Sequence, residues 1–305
     1  MQAGRQHPGA EINELYKLYT AYIDGSPATI RAYTESIKLF LRYLKKNEIQ
    51  TPTRDTIISY REELKTRCRA STVQNYIEAI KLFFRWTAQA GLYPNIADHV
   101  KGAKISQEHK KDYLTSRQAK ATLESIDRST EKGKRDYAIF LLALTGGLRV
   151  IELQRANIED LGKAGNEEVL YIQGKGKNEK SDYVKIPPET EKALRDYIKS
   201  KGTPDGSRAL FTSTSNNRNG QRLTVRSISG IIKQHLKNAG YNSERITAHS
   251  LRHSAVTIAL LAGNSLQEVQ QFARHKNITT TQIYAHNIER EKNMCERSIA
   301  ESIFN

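Results

Sequence analysis

Residues 249–284 read HSLRHSAVTIALLAGNSLQEVQQFARHKNITTTQIY, and this stretch decides the interpretation of the whole chain. His249 and Arg252 are three residues apart, a spacing that places both side chains on one face of a helix. His275 follows downstream, and Tyr284 comes nine residues after it. The stretch therefore combines an arginine, two histidines and a tyrosine, which are side chains suited to binding and attacking a phosphate group.

A second informative stretch, TGGLRVIEL at 145–153, places Arg149 between apolar residues. Burying a guanidinium there is costly unless an anion or a partner compensates its charge. Glu152 lies three residues later on the same side of a helix, so we expect it to hold Arg149 in place. Further on, GKGKNEK at 174–180 has the composition of a turn between two strands, and this turn presents Lys175.

Exchange at a phosphodiester needs a nucleophile, cations for the non-bridging oxygens and a proton donor for the leaving oxygen. Arg149 and Arg252 suit the second role because guanidinium groups donate paired hydrogen bonds to phosphate and stay charged. Tyr284 is the candidate nucleophile. Its phenol, with an ordinary pKa of about 10, must be activated by a neighbouring base or by cations.

In order and spacing, these residues resemble the tyrosine recombinase family of phage integrases and Xer-type proteins, over residues 10–290. The resemblance implies a site-specific DNA recombinase, either an integrase or a resolvase. Such an enzyme cuts and rejoins DNA through a 3′-phosphotyrosyl intermediate and a Holliday junction, and uses no metal, cofactor or ATP. With Glu152 in support, the implied catalytic residues are Arg149, Lys175, His249, Arg252, His275 and Tyr284.

The resemblance also suggests individual roles. Lys175, the first lysine of G-K-G, is expected to protonate the leaving 5′ oxygen, with Lys177 as the alternative. His249 is expected to act as acid or base near the nucleophile, since the pKa of histidine lies near working pH. His275 is expected to donate a hydrogen bond to a non-bridging oxygen.

Two features of this region need separate comment. The family usually has glycine before the second histidine, whereas this chain has Arg274, which is expected either to alter the helix junction or to add a phosphate contact. His249 and His253 are four residues apart and raise the question of a zinc site. No Cys or acidic third ligand is nearby and the glutamate of H-E-x-x-H is missing, so we predict no metal and expect His253 to point elsewhere on its helix.

Hydrophobic periodicity predicts a mainly α protein with a small antiparallel sheet. The periodicity places four helices in residues 10–100, and the resemblance implies that they form a core-binding domain of SAM-like fold, with 101–112 as a linker. The resemblance further implies that residues 113–288 form the tyrosine-recombinase catalytic domain. Residues 289–305 are predicted to form a tail helix with an apolar face, which packs either on its own domain or, as the resemblance favours, on a neighbouring protomer. The predicted helices are 11–23, 28–47, 54–66, 71–91, 115–127, 132–145, 188–200, 224–239, 247–262, 265–272 and 277–286, and the predicted strands are 157–160, 169–173 and 182–186.

A formal net charge of +15 predicts attraction to a polyanion, with nucleic acid as the first candidate. Basic residues exceed acidic ones by six in residues 1–107 and by nine in the remainder, so both predicted domains are basic. The resemblance implies that the partner is double-stranded DNA with inverted-repeat half-sites, bound by a homotetramer assembled from free monomers. Whether an accessory protein takes part is left open.

The chain has two cysteines, Cys68 and Cys295, which are expected to be reduced thiols. A cytoplasmic, nucleoid-associated protein is expected, because neither a leader nor a membrane span is recognisable.

Further basic residues are candidates for contacts to DNA phosphates, which set affinity and register but not base sequence. These candidates are Arg67, Arg69, Lys81, Arg85 and Lys177.

Two other functions remain open from the sequence. A type IB topoisomerase has the same chemistry but works as a monomer on one duplex, without a donated tail. A DNA-binding protein that has lost catalysis is the other alternative, and the intact set of six residues argues against it.

Overall fold

The computed structural model describes residues 12–104, 112–174, 179–201 and 208–304. Contacts divide the chain into two compact units, Met1–Gln107 and Glu108–Asn305. Most of the predicted linker, residues 105–111, lies outside the described residues. Among the described residues, no helix combines the length and apolar character needed to cross a membrane.

The first unit is built from helices α1 (Ile12–Tyr22), α2 (Pro27–Lys46), α3 (Arg54–Arg67) and α4 (Ala70–Gln89). Ser26 caps α2 by accepting a hydrogen bond from the Thr29 N–H, and Pro27 occupies the first helical position. Aromatic side chains of these helices form much of the core of this unit. Large side chains buried there include Phe40, Tyr60, Phe84 and Trp86.

The second unit surrounds a three-stranded antiparallel sheet with helices. Its strands are β1 (Leu161–Ala164), β2 (Glu167–Ile172) and β3 (Asp182–Lys185), in the order β1-β2-β3. Its helices are α5 (Ser116–Glu124), α6 (Glu131–Thr145), α7 (Val150–Arg155), α8 (Pro188–Ser200), α9 (Val225–Asn238), α10 (Ala248–Leu261), α11 (Leu266–Ala273), α12 (Thr279–Lys292) and α13 (Cys295–Phe304).

The central helix α6 organises this unit, because residues on all of its sides are buried. It packs against α8, α9 and α10 and ends at a Gly146–Gly147 turn that leads directly to Arg149. Gly147 has a φ of +55°, and a Cβ atom there would lie 2.9 Å from the Phe272 ring. Only glycine fits both this backbone conformation and this close approach.

The first predicted strand is misplaced. Residues 158–160 form a 3₁₀ turn, and β1 begins only at Leu161. The reason is local, since the Asp160 carboxylate accepts a 2.6 Å hydrogen bond from the Asn157 N–H and closes a turn, which limits the pairing here to an isolated bridge between Asn157 and Ala209. From there the register is regular, with Leu161 opposite Leu170 and Leu170 opposite Val184.

The end of the chain also differs from the expected boundary. Helix α12 continues to Lys292, so residue 289 lies inside it, and α13 is a separate helix. All described side chains from 293 to 304 are exposed. The exposed fractions are large for the apolar members, at 59% for Ile299, 67% for Ile303 and 84% for Phe304. The apolar face predicted for this tail therefore does not pack on its own chain.

Candidate active site

Arg149 lies at the start of α7, where Glu152 holds it twice. One carboxylate oxygen of Glu152 accepts a 2.9 Å hydrogen bond from the Arg149 guanidinium, and the other accepts a 2.8 Å bond from its backbone N–H. The Glu152 side chain is fully buried, whereas that of Arg149 is 28% exposed. The pairing predicted from their spacing is present, and it leaves the guanidinium at the surface of the site.

Arg252 reaches the same place from α10 and is almost completely buried. Its guanidinium donates to the backbone carbonyls of Gly147, at 2.6 Å, and of Ala273. Burial, together with the positive charges of Arg149 and Arg274, lowers the pKa of Arg252 to about 9. The effect of Arg149 on Arg252 shows that the structure brings the two predicted phosphate-binding arginines together. One carboxylate, that of Glu152, pairs with both Arg149 and Arg274, so the three arginines keep a net positive charge that suits an anion.

Tyr284 projects from α12 into this cluster and is 7% exposed. Burial raises the pKa of its phenol to about 12, an effect that the Arg252 charge partly opposes. The phenol is therefore neutral at neutral pH, and deprotonation requires a base close by.

His253 contacts the tyrosine directly, which corrects the expectation that it points elsewhere on its helix. Its Nδ1 is hydrogen-bonded to the Tyr284 hydroxyl. Helix α12 packs against α10, and this packing brings Tyr284 over the turn that carries His253. The i, i+4 spacing from His249 already indicated that the two histidines share a helix face.

His249 and His275 lie on either side of the pair formed by His253 and Tyr284. The exposed His249 ring meets the His253 ring edge-on, with their centroids 4.6 Å apart. The His275 ring stacks beside the Tyr284 ring at 6.3 Å, and its Nδ1 lies 2.9 Å from the Thr281 hydroxyl. Burial, followed by the charges of Arg252, Arg149 and Arg274, lowers the pKa of His275 to about 4.

Two predicted residues, Lys175 and Lys177, lie outside the described residues. The residues on both sides of their segment, Gly174 and Lys180, make contacts within the second unit. Arg155 donates a 3.2 Å hydrogen bond to the carbonyl of Gly174, and Lys180 pairs with the buried Asp160 at 2.6 Å.

The candidate DNA contacts in the first unit are on α3 and α4. Arg69 and Arg85 are exposed. Arg67 and Lys81 form ion pairs within their helices, with Glu63 at 3.2 Å and Glu78 at 3.0 Å. Their contact with DNA stays a prediction. Across the described part of the chain, no group of three or more His, Cys, Asp or Glu side chains is placed to hold a metal ion.

The low pKa of His275 predicts a pH-dependent stability. Between pH 6.5 and about 4, the unfolded chain binds a proton at this residue and the folded chain does not. Its contribution therefore makes the free energy of unfolding rise with pH across that window. We expect the melting temperature of the wild-type protein to fall more steeply on acidification through the window than that of His275→Gln. Parallel curves for the two proteins would show that His275 is not held neutral.

Comparison with known proteins identifies the family of the chain. The sequence profile of the phage integrase family matches residues 112–291, and that of the phage integrase N-terminal SAM-like domain matches residues 18–92. The chain belongs to the phage integrase family. The predicted family and the predicted fold class are thus both confirmed.

Integrase-family relatives extend over most of the chain. The tyrosine recombinase XerC of Caldanaerobacter subterraneus subsp. tengcongensis is 30% identical, covering 90% of this chain and 82% of its own. XerC of Chlamydia trachomatis serovar L2 is 32% identical over 77% of this chain and 73% of its own. Among solved structures, XerH bound to palindromic difH substrate has a TM-score of 0.72 at 20% identity, covering 88% of this chain and 80% of that one.

The fold is also shared with a phage enzyme. A λ integrase tetramer bound to a Holliday junction has a TM-score of 0.66 at 17% identity, covering 89% of this chain and 75% of that one.

Proposed function

We propose that this chain is a site-specific DNA recombinase that cuts DNA through a covalent bond to Tyr284. The observation that carries the proposal is the burial of a neutral tyrosine between two histidines, beside two arginines gathered from α7 and α10. Such a site supplies a nucleophile, a proton acceptor and preorganised positive charge at one point.

The reaction follows from these positions. Arg149 and Arg252 bind the non-bridging oxygens of the scissile phosphate. Each guanidinium has five N–H donors, and their protein partners take one from Arg149 and two from Arg252. The Tyr284 oxygen attacks phosphorus and its proton passes to His253. The bond between phosphorus and the 5′ oxygen breaks, and that oxygen receives a proton. We assign the donation of this proton to Lys175.

The covalent product keeps the energy of the broken bond. A free 5′ hydroxyl from another strand can therefore attack the 3′-phosphotyrosyl bond and rejoin DNA without ATP. His275 is assigned a hydrogen bond to a non-bridging oxygen, which a neutral imidazole donates through one ring N–H. His249 is exposed and lies beside His253, and we assign to it the transfer of protons to and from His253.

The partner we assign is double-stranded DNA with inverted half-sites, bound by a tetramer. Two facts support this assignment. The chain carries a net charge of +15, and structures of the same fold include XerH on its palindromic substrate and the λ integrase tetramer on a junction. Acting on chromosomal or mobile DNA, the protein would work in the cytoplasm.

A nicked suicide substrate separates this function from its alternatives. After cleavage the short 5′-hydroxyl strand diffuses away, and the enzyme stays linked to DNA. A covalent adduct excludes a protein that only binds DNA, and recombinant product from paired sites excludes a pure topoisomerase. An absence of adduct from an active preparation that binds the same DNA would refute the proposal.

We assign the tail helix α13 to a groove on a neighbouring protomer. The groove has a volume of about 690 Å³ and opens between β3, α10 and α11. Its apolar lining includes Val184, Ala259, Val269 and Phe272. The exposed apolar face of α13 is complementary to it in character, and burying this face would stabilise an assembly of protomers.

Ile299→Glu tests the tail assignment. It adds a charge to the apolar face of α13 and is expected to reduce recombination at least about tenfold while monomer binding to one half-site is unchanged. The matched control Ser298→Glu adds the same charge to the adjacent position, about 100° around the helix. Recombination by Ile299→Glu at the level of this control would refute the exchange of the tail.

A further inference from the structure

Residue 274 has a backbone conformation that favours glycine. Arg274 follows the last residue of α11 with φ 52° and ψ 45°, in the left-handed region. A non-glycine residue there loses about 1 kcal/mol relative to glycine. The arginine side chain must therefore contribute something that offsets its backbone.

The Arg274 guanidinium ties three segments together. One Nη donates to the Phe272 carbonyl at 2.8 Å and to the Gly146 carbonyl at 3.3 Å. The other donates to the Gly147 carbonyl and to Glu152, both at 3.2 Å. These acceptors lie at the carboxyl ends of α6 and α11, where helix dipoles favour a cation, and on α7. The side chain is only 13% exposed.

Two of these acceptors also accept hydrogen bonds from the phosphate-binding arginines. It shares the Glu152 carboxylate with Arg149, and this carboxylate is bonded on both oxygens. It shares the Gly147 carbonyl with Arg252. Arg274 thus supplies a further donor to the carboxylate that Arg149 uses and to the carbonyl that Arg252 uses, and it restrains both acceptors.

We propose that Arg274 is a positioning residue of the recombination site. It orients Arg149 through Glu152 and Arg252 through the Gly147 carbonyl, so that both guanidiniums face one phosphate. This inference rests on the proposed function.

The decisive variant is Arg274→Gly, which removes the guanidinium and relieves the left-handed backbone. We therefore expect Arg274→Gly to fold. If the protein merely tolerated arginine at this position, the variant would cleave DNA at the wild-type rate. We expect the single-turnover rate of adduct formation at saturating DNA to fall roughly ten- to a hundredfold, as for misplaced reacting groups. Affinity for uncleaved DNA should change by less than about threefold, since no phosphate contact is lost.

Two further measurements separate positioning from other roles. The combination of Arg274→Gly with Glu152→Gln should lose less rate than the two single losses multiplied together, because both variants act on Arg149, and the loss that remains specific to Arg274→Gly acts on Arg252. The control Arg195→Ala removes a 74% exposed guanidinium on α8 and should behave as wild type. Equal rates for Arg274→Gly and wild type would overturn the inference, as would additive losses in the pair or a large loss of DNA affinity.

The same assay separates this inference from the proposed function. A wild-type protein that binds DNA but forms no adduct refutes the function itself. A wild-type protein that forms the adduct, alongside a fully active Arg274→Gly, refutes the positioning role alone.

Discussion

Tyr284→Phe is expected to form no covalent adduct with a suicide substrate, while its affinity for the intact site stays within about twofold of wild type. The phenyl ring keeps its packing between α10 and α12, and only the attacking oxygen is removed. Because no other step can form the phosphotyrosyl bond, the loss should be complete within the sensitivity of a denaturing gel. The measurement is adduct yield after a long incubation.

The matched control for this variant is Tyr183→Phe. Tyr183 is 48% exposed on β3 and is also a tyrosine of the second unit, so it tests the loss of a hydroxyl elsewhere. It should form adduct at the wild-type level. Cleavage by Tyr284→Phe, at any rate comparable to that of this control, would show that the nucleophile has been assigned to the wrong residue.

Arg149→Ala is expected to slow cleavage roughly a hundred- to a thousandfold, the usual effect of removing one preorganised donor from a transition state. DNA affinity should change far less, since a single phosphate contact contributes little to the total. Single-turnover cleavage at saturating DNA measures the first effect, and titration of uncleaved DNA the second.

Arg149→Lys refines this result. It retains the positive charge but loses the paired donors that fit phosphate, so its rate should lie between those of wild type and alanine. Arg195→Ala again controls for the loss of one exposed charge. A rate within about threefold of wild type for Arg149→Ala would remove this residue from the site.

Much of the fold could be predicted from the sequence, because apolar spacing marks each long helix and needs no tertiary information. Helices α2, α6 and α8 begin and end within one residue of the predicted limits. The failure at 157–160 arose from a side chain, that of Asp160, which accepts from the Asn157 N–H and closes a turn, so that Asn157 forms only an isolated bridge to Ala209. Propensity alone does not show such local competition.

For the site, too, the sequence predicted some features and missed others. The order of Arg149, Arg252, His275 and Tyr284 identified them through resemblance, and the structure brings these four together. The contact of His253 with Tyr284 depends on how α12 packs on α10, which spacing within α10 does not reveal. The network of Arg274 depends on carbonyls more than 120 residues away along the chain, and a local motif carries no trace of them.

The central claim is that Tyr284 attacks the scissile phosphate, and mass spectrometry of the trapped complex tests it most directly. The adduct formed with a suicide substrate is digested with nuclease and protease, and the peptide that carries the residual nucleotide is sequenced. The chain has 15 tyrosines, so the assignment is discriminating. We predict that the nucleotide is linked to Tyr284 through a 3′ phosphate. A linkage to any other residue, or through a 5′ phosphate, would contradict the claim.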